Sequence, residues 1–168
     1  AETHTPAVAG RADSGAPQFE ILPAGDTERL MTLLEQTYRD TLDCPGLEGL
    51  RNPRDTLEGY RRTGIYVPEW WQMVRAEGRD VGCLLAADLP LEDRAEVLYM
   101  GLAPEVRGRG WRRLLIRRAM DLARAARRRQ LVLAVDARNE PAVRAYLGEG
   151  FVAWQERTVY VRKLERND

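Results

Sequence analysis

Residues 98–115, LYMGLAPEVRGRGWRRLL, carry the most informative pattern in the chain. The apolar start is typical of a strand, and the end begins a helix of apolar and basic residues. Between them lies Arg107-Gly108-Arg109-Gly110, where glycine allows a tight turn and a close approach of a ligand to the backbone. Free N–H groups at a helix N-terminus attract anions, and arginine adds bidentate phosphate contacts. The stretch predicts a phosphate-binding turn, with a solvated glycine-rich turn as the alternative.

Two other glycine-rich phosphate loops are excluded by the residues present. A Walker A loop ends in Gly-Lys-Ser or Gly-Lys-Thr, which does not occur in the sequence. The dinucleotide-binding fingerprint needs a third glycine at fixed spacing, and this turn has only two.

The rest of the chain predicts a mixed α/β domain around this turn. The predicted strands cover Phe19–Leu22, Trp70–Glu77, Val81–Asp88, Ala95–Leu102, Leu131–Val135 (buried on both faces), Phe151–Trp154 and Thr158–Leu164. The predicted helices begin after Asp26, lie around Arg54–Arg62, run from Gly110 to Arg129, and begin at a cap on Asn139. Residues 1–17 lack hydrophobic periodicity and are expected to form a flexible tail, which leaves residues 18–168 as one domain.

Composition excludes several classes of protein. The 168 residues include one His and two Cys, which argues against a Ser-His-Asp triad, a disulfide scaffold and a Cys/His metal site. No signal peptide is recognisable, and no apolar run reaches the roughly 20 residues of a membrane span. We therefore expect a cytoplasmic protein that does not enter the membrane.

The formal net charge of zero conceals two oppositely charged regions. Residues 101–130 contain ten Arg and two acidic residues, a local sum of +8, so the remainder sums to −8. A basic turn and helix suit a phosphorylated ligand.

A second pattern, NEPAVRAYLGEGF, covers residues 139–151. Tyr146 lies two turns after the predicted cap Asn139, and Ala142 falls near the same helix face. A phenol in this position could donate a proton to a leaving group. The alternative is a tyrosine at the edge of the core whose hydroxyl binds water.

Together the two patterns resemble the GNAT superfamily of acyl-CoA-dependent N-acyltransferases. Arg107 and Gly110 match the first and fourth positions of its Q/R-x-x-G-x-G/A motif. The later N-x-x-A-x-x-x-Y-x-x-x-G-F motif matches completely. The chain departs from the family at Arg112, where a small residue is usual.

The resemblance implies a mostly antiparallel six- or seven-stranded sheet with a parallel pair and about four helices. It implies acetyl-CoA as co-substrate, with no metal. The backbone of Met100, Gly101 and Leu102 would pair with the pantetheine arm, Asn139 would lie near the cofactor, and Tyr146 would protonate the departing thiolate. The pyrophosphate would be held by the turn residues Arg107, Gly108, Arg109, Gly110, Trp111 and Arg112.

Glu96 is the candidate base that removes the proton of the acceptor amine. It precedes Arg107 by eleven residues, the spacing of the basic glutamate in the histone acetyltransferase branch that this segment resembles. Partial burial there would raise its pKa toward neutrality. The alternatives are an exposed strand glutamate, with water or another residue as the base.

The resulting hypothesis is direct attack of a primary amine on the thioester in a ternary complex. Segment Asp40–Trp71 is rich in aromatic and acidic residues, among them Asp43 and Tyr66. This composition does not identify the acceptor substrate. One alternative is a degenerate acyl-CoA-binding or sensor domain without catalysis. Another is nucleic-acid binding by the Arg-rich helix, which is disfavoured because no aromatic stacking platform accompanies the arginines. The resemblance also leaves a homodimer open.

Overall fold

The computed structural model describes residues 15–47, 49–50 and 52–162. Its sheet has five strands in the order β1-β2-β3-β4-β5, antiparallel except for the parallel pair β4-β5. The strands are β1 Gln18–Ile21, β2 Trp71–Ala76, β3 Arg79–Leu89, β4 Arg94–Leu102 and β5 Gln130–Leu133. The helices are α1 Thr27–Tyr38, α2 Pro53–Arg61, α3 Trp111–Ala125 and α4 Glu140–Gly148. The predicted mixed α/β class, the parallel pair and the four helices are confirmed.

The helices cover opposite faces of the sheet, as the alternation along β2 shows. Met73 packs in a cluster with Leu30 and Leu33 of α1, whereas the next residue, Val74, packs with α3. Successive strand residues point to opposite faces, so α1 and α3 lie on different sides. The apolar residues of α3 recur at helical spacing, and Arg113, Arg117 and Arg124 are exposed. Arg118 instead contacts the sheet, where it donates to the buried Gln72 side chain of β2 at 2.8 Å.

Strand β4 continues past the end of its parallel partner. The β4-β5 pairing runs only from Arg94↔Gln130 to Val97↔Leu133, whereas β4 extends to Leu102. The β3-β4 register shifts at the same level, from Leu85↔Tyr99 to Ala86↔Val97, which leaves Leu98 as an extra residue. A bulge of this kind bends and twists a strand. Among the described strands, the last five residues of β4 therefore have a neighbour on one side only, and a cleft opens between β4 and the chain after β5.

The end of the chain differs from the prediction. The structure has no strand at Phe151–Trp154 or over the described part, 158–162, of the predicted strand Thr158–Leu164, and residues 163–168 lie outside the described residues. The described sheet thus has five strands instead of six or seven. An alternating apolar pattern gives β propensity, but a strand also needs an edge that accepts its hydrogen bonds.

Two other expectations are corrected. Strand β5 is half-buried instead of buried on both faces, because it is the last strand of the described sheet. Helix α3 ends at Ala125 and not at Arg129: Arg127 takes a left-handed φ of 59°, and the Arg128 N–H donates to the Ala123 carbonyl. The run of arginines carries no glycine that would mark this end.

The flexible tail proposed for residues 1–17 lies mostly outside the described residues. Within the part of the chain that the structure describes, no helix is both long and apolar enough to cross a membrane.

Close packing between β3 and β4 gives a stability prediction. A Cβ on Gly82 would lie 2.6 Å from the Gly101 carbonyl oxygen and 2.7 Å from Leu102 Cδ2. We expect Gly82→Ala to lower the free energy of unfolding by about 1–3 kcal/mol in urea denaturation, as overpacking does. The matched control is Gly59→Ala on α2, where a Cβ meets no atom within 4 Å and helix propensity favours alanine. Equal stabilities for the two variants would contradict the packing described for this strand pair.

Candidate acyl-CoA site

The predicted phosphate-binding turn lies between β4 and α3 and has the expected backbone shape. Gly108 and Gly110 adopt left-handed φ values of 80° and 79°, and a Cβ on either would meet no atom within 4 Å. The two glycines are required by the backbone conformation, which most side chains avoid. The space beside the turn is open to a ligand.

The turn presents a series of unpaired backbone donors. Gly110 caps α3 without a side-chain hydrogen bond, and the Arg113 N–H donates to the Gly110 carbonyl at 3.2 Å. Among the described residues, none accepts a hydrogen bond from the five consecutive N–H groups of Gly108, Arg109, Gly110, Trp111 and Arg112. Such a concave set of N–H groups at the positive end of a helix dipole is suited to a phosphate.

The side chain of Arg107 holds this turn in place and is not free for a ligand. Its guanidinium donates to four carbonyl oxygens, those of Leu102 at 3.0 Å, Thr37 at 3.0 Å, Arg39 at 2.8 Å and Asp40 at 3.0 Å. It thereby joins the end of β4 to the C-terminus of α1, where cations are favoured. The sequence motif identified Arg107 but not this structural role.

Two other arginines of the turn carry uncommitted positive charge. The Arg109 guanidinium lies 5.3 Å from the centre of the Trp111 ring. Arg112, the departure from the family motif, is half-buried in the first turn of α3, and no hydrogen bond or ion pair engages it within the described chain.

The unpaired end of β4 forms one wall of the cleft. The Ala103 N–H donates to the Val81 carbonyl of β3 at 2.8 Å. The N–H and C=O groups of successive residues alternate between the two edges of a strand. The backbone groups of Gly101 therefore point toward β3, whereas those of Met100 and Leu102 point toward the cleft. The Leu102 carbonyl already accepts from Arg107. Of the three predicted residues, Met100 thus offers both backbone groups to a ligand and Leu102 offers its N–H.

Helix α4 forms the opposite wall. Asn139 is buried, and its side chain caps the helix by accepting from the Ala142 N–H at 3.3 Å. Tyr146 is half-buried, with its ring 5.8 Å from that of Phe151. Burial raises the pKa of the Tyr146 phenol to about 12, which the nearby Arg112 guanidinium opposes and the Asp43 carboxylate reinforces. The phenol therefore keeps its proton at neutral pH.

Asp43 and Asp136 join two distant segments beside the cleft, and little in the sequence marks either of them. The Asp136 N–H donates to Asp43 Oδ1 at 2.8 Å, and the Cys44 N–H donates to Asp136 Oδ2 at 3.3 Å. Hydrogen bonds from Arg138 hold the pKa of Asp136 down, at about 2. The segment after α1 is thus attached to the segment after β5. The acidic content of Asp40–Trp71 pointed to this region but not to these contacts.

Glu96, the predicted base, lies half-buried in the paired part of β4. Its register partners are Ala87 on β3 and Val132 on β5. It precedes the point where β4 and β5 separate, so it belongs to the closed end of the cleft. Its role as a base stays a prediction.

Part of the Arg-rich face of α3 is used within the protein. Glu149 pairs with Arg117 at 2.8 Å and with Arg113 at 3.5 Å, which joins α3 to α4. Arg128 forms a bidentate pair with Asp88. These contacts give several arginines a structural role, which weakens the alternative of a nucleic-acid-binding helix.

The site is an open cleft and not an enclosed pocket. Two grooves of about 380 and 540 Å³ follow α1, and no predicted site residue lines either of them. The assignment of the site therefore rests on backbone groups and on the Tyr146 side chain. Among the described residues, no group of three or more His, Cys, Asp or Glu side chains is arranged to hold a metal ion.

Solved structures with the same fold are N-acetyltransferases. The ribosomal-protein-S18-alanine N-acetyltransferase from Escherichia coli is 15% identical, with a TM-score of 0.64 over 83% of this chain and 80% of that one. The spermidine N-acetyltransferase from Vibrio cholerae, in complex with CoA and spermine, is 23% identical, with a TM-score of 0.61 over 83% and 82%. An aminoglycoside acetyltransferase from an uncultured soil metagenomic sample, in complex with sisomicin, is 12% identical, with a TM-score of 0.62 over 89% and 97%.

At these identities the likeness establishes the fold. The sequence profile of the acetyltransferase (GNAT) family matches residues 29–151, and the chain belongs to this family. Comparison with curated protein sequences gives no match. The resemblance read from the two motifs is thereby confirmed.

The hydrogen bonds of Arg107 give a second prediction. Arg107→Ala removes donors from four carbonyls, so we expect a loss of about 1–3 kcal/mol in the free energy of unfolding. Amide exchange over residues 37–44 should become at least about 10-fold faster, measured by hydrogen–deuterium exchange. Arg109→Ala is the control, because the Arg109 guanidinium lies over the Trp111 ring and makes no hydrogen bond or ion pair with the described residues. If exchange in this segment is the same in both variants, Arg107 does not anchor it.

Proposed function

We propose that the protein transfers an acetyl group from acetyl-CoA to a primary amine by direct attack in a ternary complex, with residues 18–168 acting as one domain. The observation that carries this proposal is the series of free N–H groups at residues 108–112, set beside the unpaired end of β4. The first feature is complementary to a pyrophosphate. The second is complementary to an extended chain with amide groups. Acetyl-CoA contains both.

Different residues of the cleft bind different parts of acetyl-CoA. The backbone N–H groups of residues 108–112 hold the pyrophosphate, whereas the Arg107 N–H already donates to the Pro104 carbonyl at 3.2 Å. The side chains of Arg109 and Arg112 add positive charge near the pyrophosphate. Met100 and Leu102 hydrogen-bond the pantetheine arm, as an added strand would. When bound, acetyl-CoA supplies the acyl group as a reactive thioester. An N–H of β4 beside the thioester would stabilise negative charge that develops on the carbonyl oxygen.

Tyr146 acts as the general acid in this proposal. Its raised pKa, about 12, keeps the phenol protonated at neutral pH, so that it has a proton to give. Tyr146 donates this proton to the sulfur as the thiolate departs, and positive charge on Arg112 favours the transfer by stabilising the tyrosinate that remains. Asn139 supports this step by fixing the start of the helix that carries Tyr146.

Glu96 is proposed as the base, directly or through water. The attacking nitrogen must lose a proton, and Glu96 is a half-buried carboxylate on the strand that lines the cleft. A covalent acyl-cysteine is not part of the mechanism. Cys83 is fully buried, and burial raises the pKa of its thiol to about 12, which keeps it protonated and unreactive.

A homodimer is proposed from the C-terminal segment, residues 151–162. Its apolar side chains are exposed, with Trp154 74% and Tyr160 92% accessible. The outer edge of β5 has no partner among the described strands. Exposed apolar side chains and a free sheet edge both favour association. Reciprocal pairing of this segment with β5 of a second copy would satisfy both. A cytoplasmic location stays a prediction.

Acetyl-CoA binding and turnover test the proposed function. Calorimetry should show acetyl-CoA binding, and a screen of primary amines should show CoA release. Tyr146→Phe should reduce kcat by about 100-fold or more, as loss of a general acid does, while the acetyl-CoA Kd changes less than about 2-fold. A protein that binds acetyl-CoA but acetylates no amine would be a sensor. Absence of acetyl-CoA binding, with a salt-dependent gel shift on DNA or RNA, would favour the nucleic-acid alternative.

The role of Glu96 as the base is tested by the pH dependence of the rate in the same assay. Glu96→Gln should remove the acidic limb of the pH–rate profile, because glutamine cannot take up the proton at any pH. Glu92→Gln, on the exposed turn before β4, is the control for a lost carboxylate. An unchanged acidic limb in Glu96→Gln would exclude Glu96 as the base.

Sedimentation velocity tests the dimer. The wild-type protein should sediment as a dimer, and Trp154→Asp should produce a monomer by placing a charge in the apolar segment. Leu91→Asp is the matched control, because Leu91 is fully exposed in the turn between β3 and β4. A wild-type monomer at micromolar concentration would contradict the proposed pairing.

A further inference from the structure

The segment that follows α1, residues 39–44, crosses the cleft between its two walls; we call it the cleft loop. Arg107 holds one end of it through the carbonyls of Arg39 and Asp40. The other end is attached at Asp136, which accepts from Cys44 and donates to Asp43. The loop is therefore tied both to the phosphate-binding turn and to the segment that leads into α4.

Within the cleft loop, a hydrogen bond fixes the Asp43 carboxylate, but no ion pair with a described residue neutralises its charge. Its Oδ1 atom accepts from the Asp136 N–H at 2.8 Å, and its own N–H donates to Thr41 Oγ1 at 3.1 Å. Among the described residues, no hydrogen bond or ion pair engages Oδ2. The neighbouring carboxylate Asp136 is already paired with Arg138 at 3.0 Å. Asp43 thus presents an oriented carboxylate oxygen whose charge is available to a ligand.

The position of Asp43 relative to Tyr146 follows from the geometry of α4. Long side chains on a helix lean toward its N-terminus, so the Tyr146 ring is directed back toward the turn that begins at Asn139. The Asn139 N–H donates to the Asp136 carbonyl at 2.8 Å, and Asp136 holds Asp43. Asp43 is therefore attached to the end of the helix toward which the phenol points, and its charge acts on that phenol.

Two charges of opposite sign act on the Tyr146 phenol: the Arg112 guanidinium lowers its pKa and the Asp43 carboxylate raises it. Arg112 belongs to the turn where an anionic cofactor would bind. Asp43 belongs to a different segment, the cleft loop, which is held at Asp136. The second substrate therefore has a carboxylate of its own beside the same phenol.

We propose that Asp43 is the residue that binds the ammonium group of the acceptor, so that the acceptor is a cationic primary amine presented beside Tyr146. This inference rests on the proposed acetyl transfer and assigns its second substrate. Oδ2 accepts a hydrogen bond from the ammonium, while Oδ1 stays on the Asp136 backbone. The base of the proposed mechanism, Glu96, removes the proton that the nitrogen must lose before it attacks the thioester.

Asp43→Asn tests this assignment, because asparagine retains an oxygen for the Asp136 N–H and loses the charge. The cationic probes are butylamine, 1,4-diaminobutane and spermidine, and the uncharged probe is hydroxylamine at a pH where it is not protonated. We expect the KM of the cationic probes to rise by about 10- to 100-fold, the range for loss of a charge-assisted hydrogen bond. The KM of hydroxylamine and the Kd of acetyl-CoA should change less than about 2-fold.

The matched control is Asp40→Asn, which removes the same charge from the exposed start of the cleft loop. Asp40 has a left-handed φ of 52°, a conformation that asparagine tolerates. Asp40→Asn should behave as wild type with every probe. Equal losses with charged and uncharged probes would show that Asp43 acts only through Tyr146 and would overturn the assignment.

Two results for the wild-type protein are also decisive. Transfer to hydroxylamine with none to the protonated amines would refute a cationic acceptor and leave acetyl transfer intact. Absence of acetyl-CoA binding would refute the proposed function itself. An unchanged acetyl-CoA Kd in Asp43→Asn shows that this variant is folded, so a loss of amine affinity in it is not a loss of structure.

Discussion

The separation of β4 from β5 is the constraint on which the rest of the site depends. The two strands pair from Arg94 to Val97, and the extra residue Leu98 then shifts the register of β4 against β3. The following part of β4 keeps one neighbour and leaves its other edge without a strand. A sheet normally fills such an edge, because unpaired backbone groups are costly when they are kept from water. Here the open edge lies beside the phosphate-binding turn, where both can serve one extended, phosphorylated ligand.

Positive charge serves two different purposes around this cleft. The Arg107 guanidinium donates to four carbonyls and thereby fixes the shape of the turn. The guanidinium groups of Arg109 and Arg112 make no hydrogen bond with the described residues and stay available to a ligand. Arg113 and Arg117 hold α3 against α4 through Glu149. The basic segment 101–130 is therefore neither wholly a ligand site nor wholly a solvated helix face. Some of its arginines, such as Arg107 and Arg117, make contacts within the protein. Others, such as Arg109 and Arg112, contribute positive charge that would attract an anionic ligand.

The cleft loop adds the opposite charge, that of Asp43, which acts on the Tyr146 phenol. Asp43 and Asp136 lie 93 residues apart in the sequence, and the Asp136 N–H donates to the Asp43 carboxylate. The Cys44 N–H donates to the Asp136 carboxylate, which adds a second hydrogen bond between the two segments. Asp136 is paired with Arg138, whereas no ion pair among the described residues engages Asp43. Arg112 and Asp43 thus act on the Tyr146 phenol with opposite charges. This arrangement fits a reaction that brings together an anionic cofactor and a cationic acceptor.

The sequence by itself determined what depends on neighbouring residues. The two glycines of the turn, the cap at Asn139 and Tyr146 two turns later are local features. The family motifs include Gly110, Asn139 and Tyr146. The early end of α3 was missed because a left-handed residue, Arg127, ends the helix without glycine. The final strands were predicted from alternation alone, and the described chain offers them no paired edge. Only the tertiary structure decided that Arg107 is a structural anchor, that β4 has a free edge among the described strands, and that Asp43 is joined to Asp136. These are contacts between residues far apart in the chain, and they depend on how the strands and helices pack.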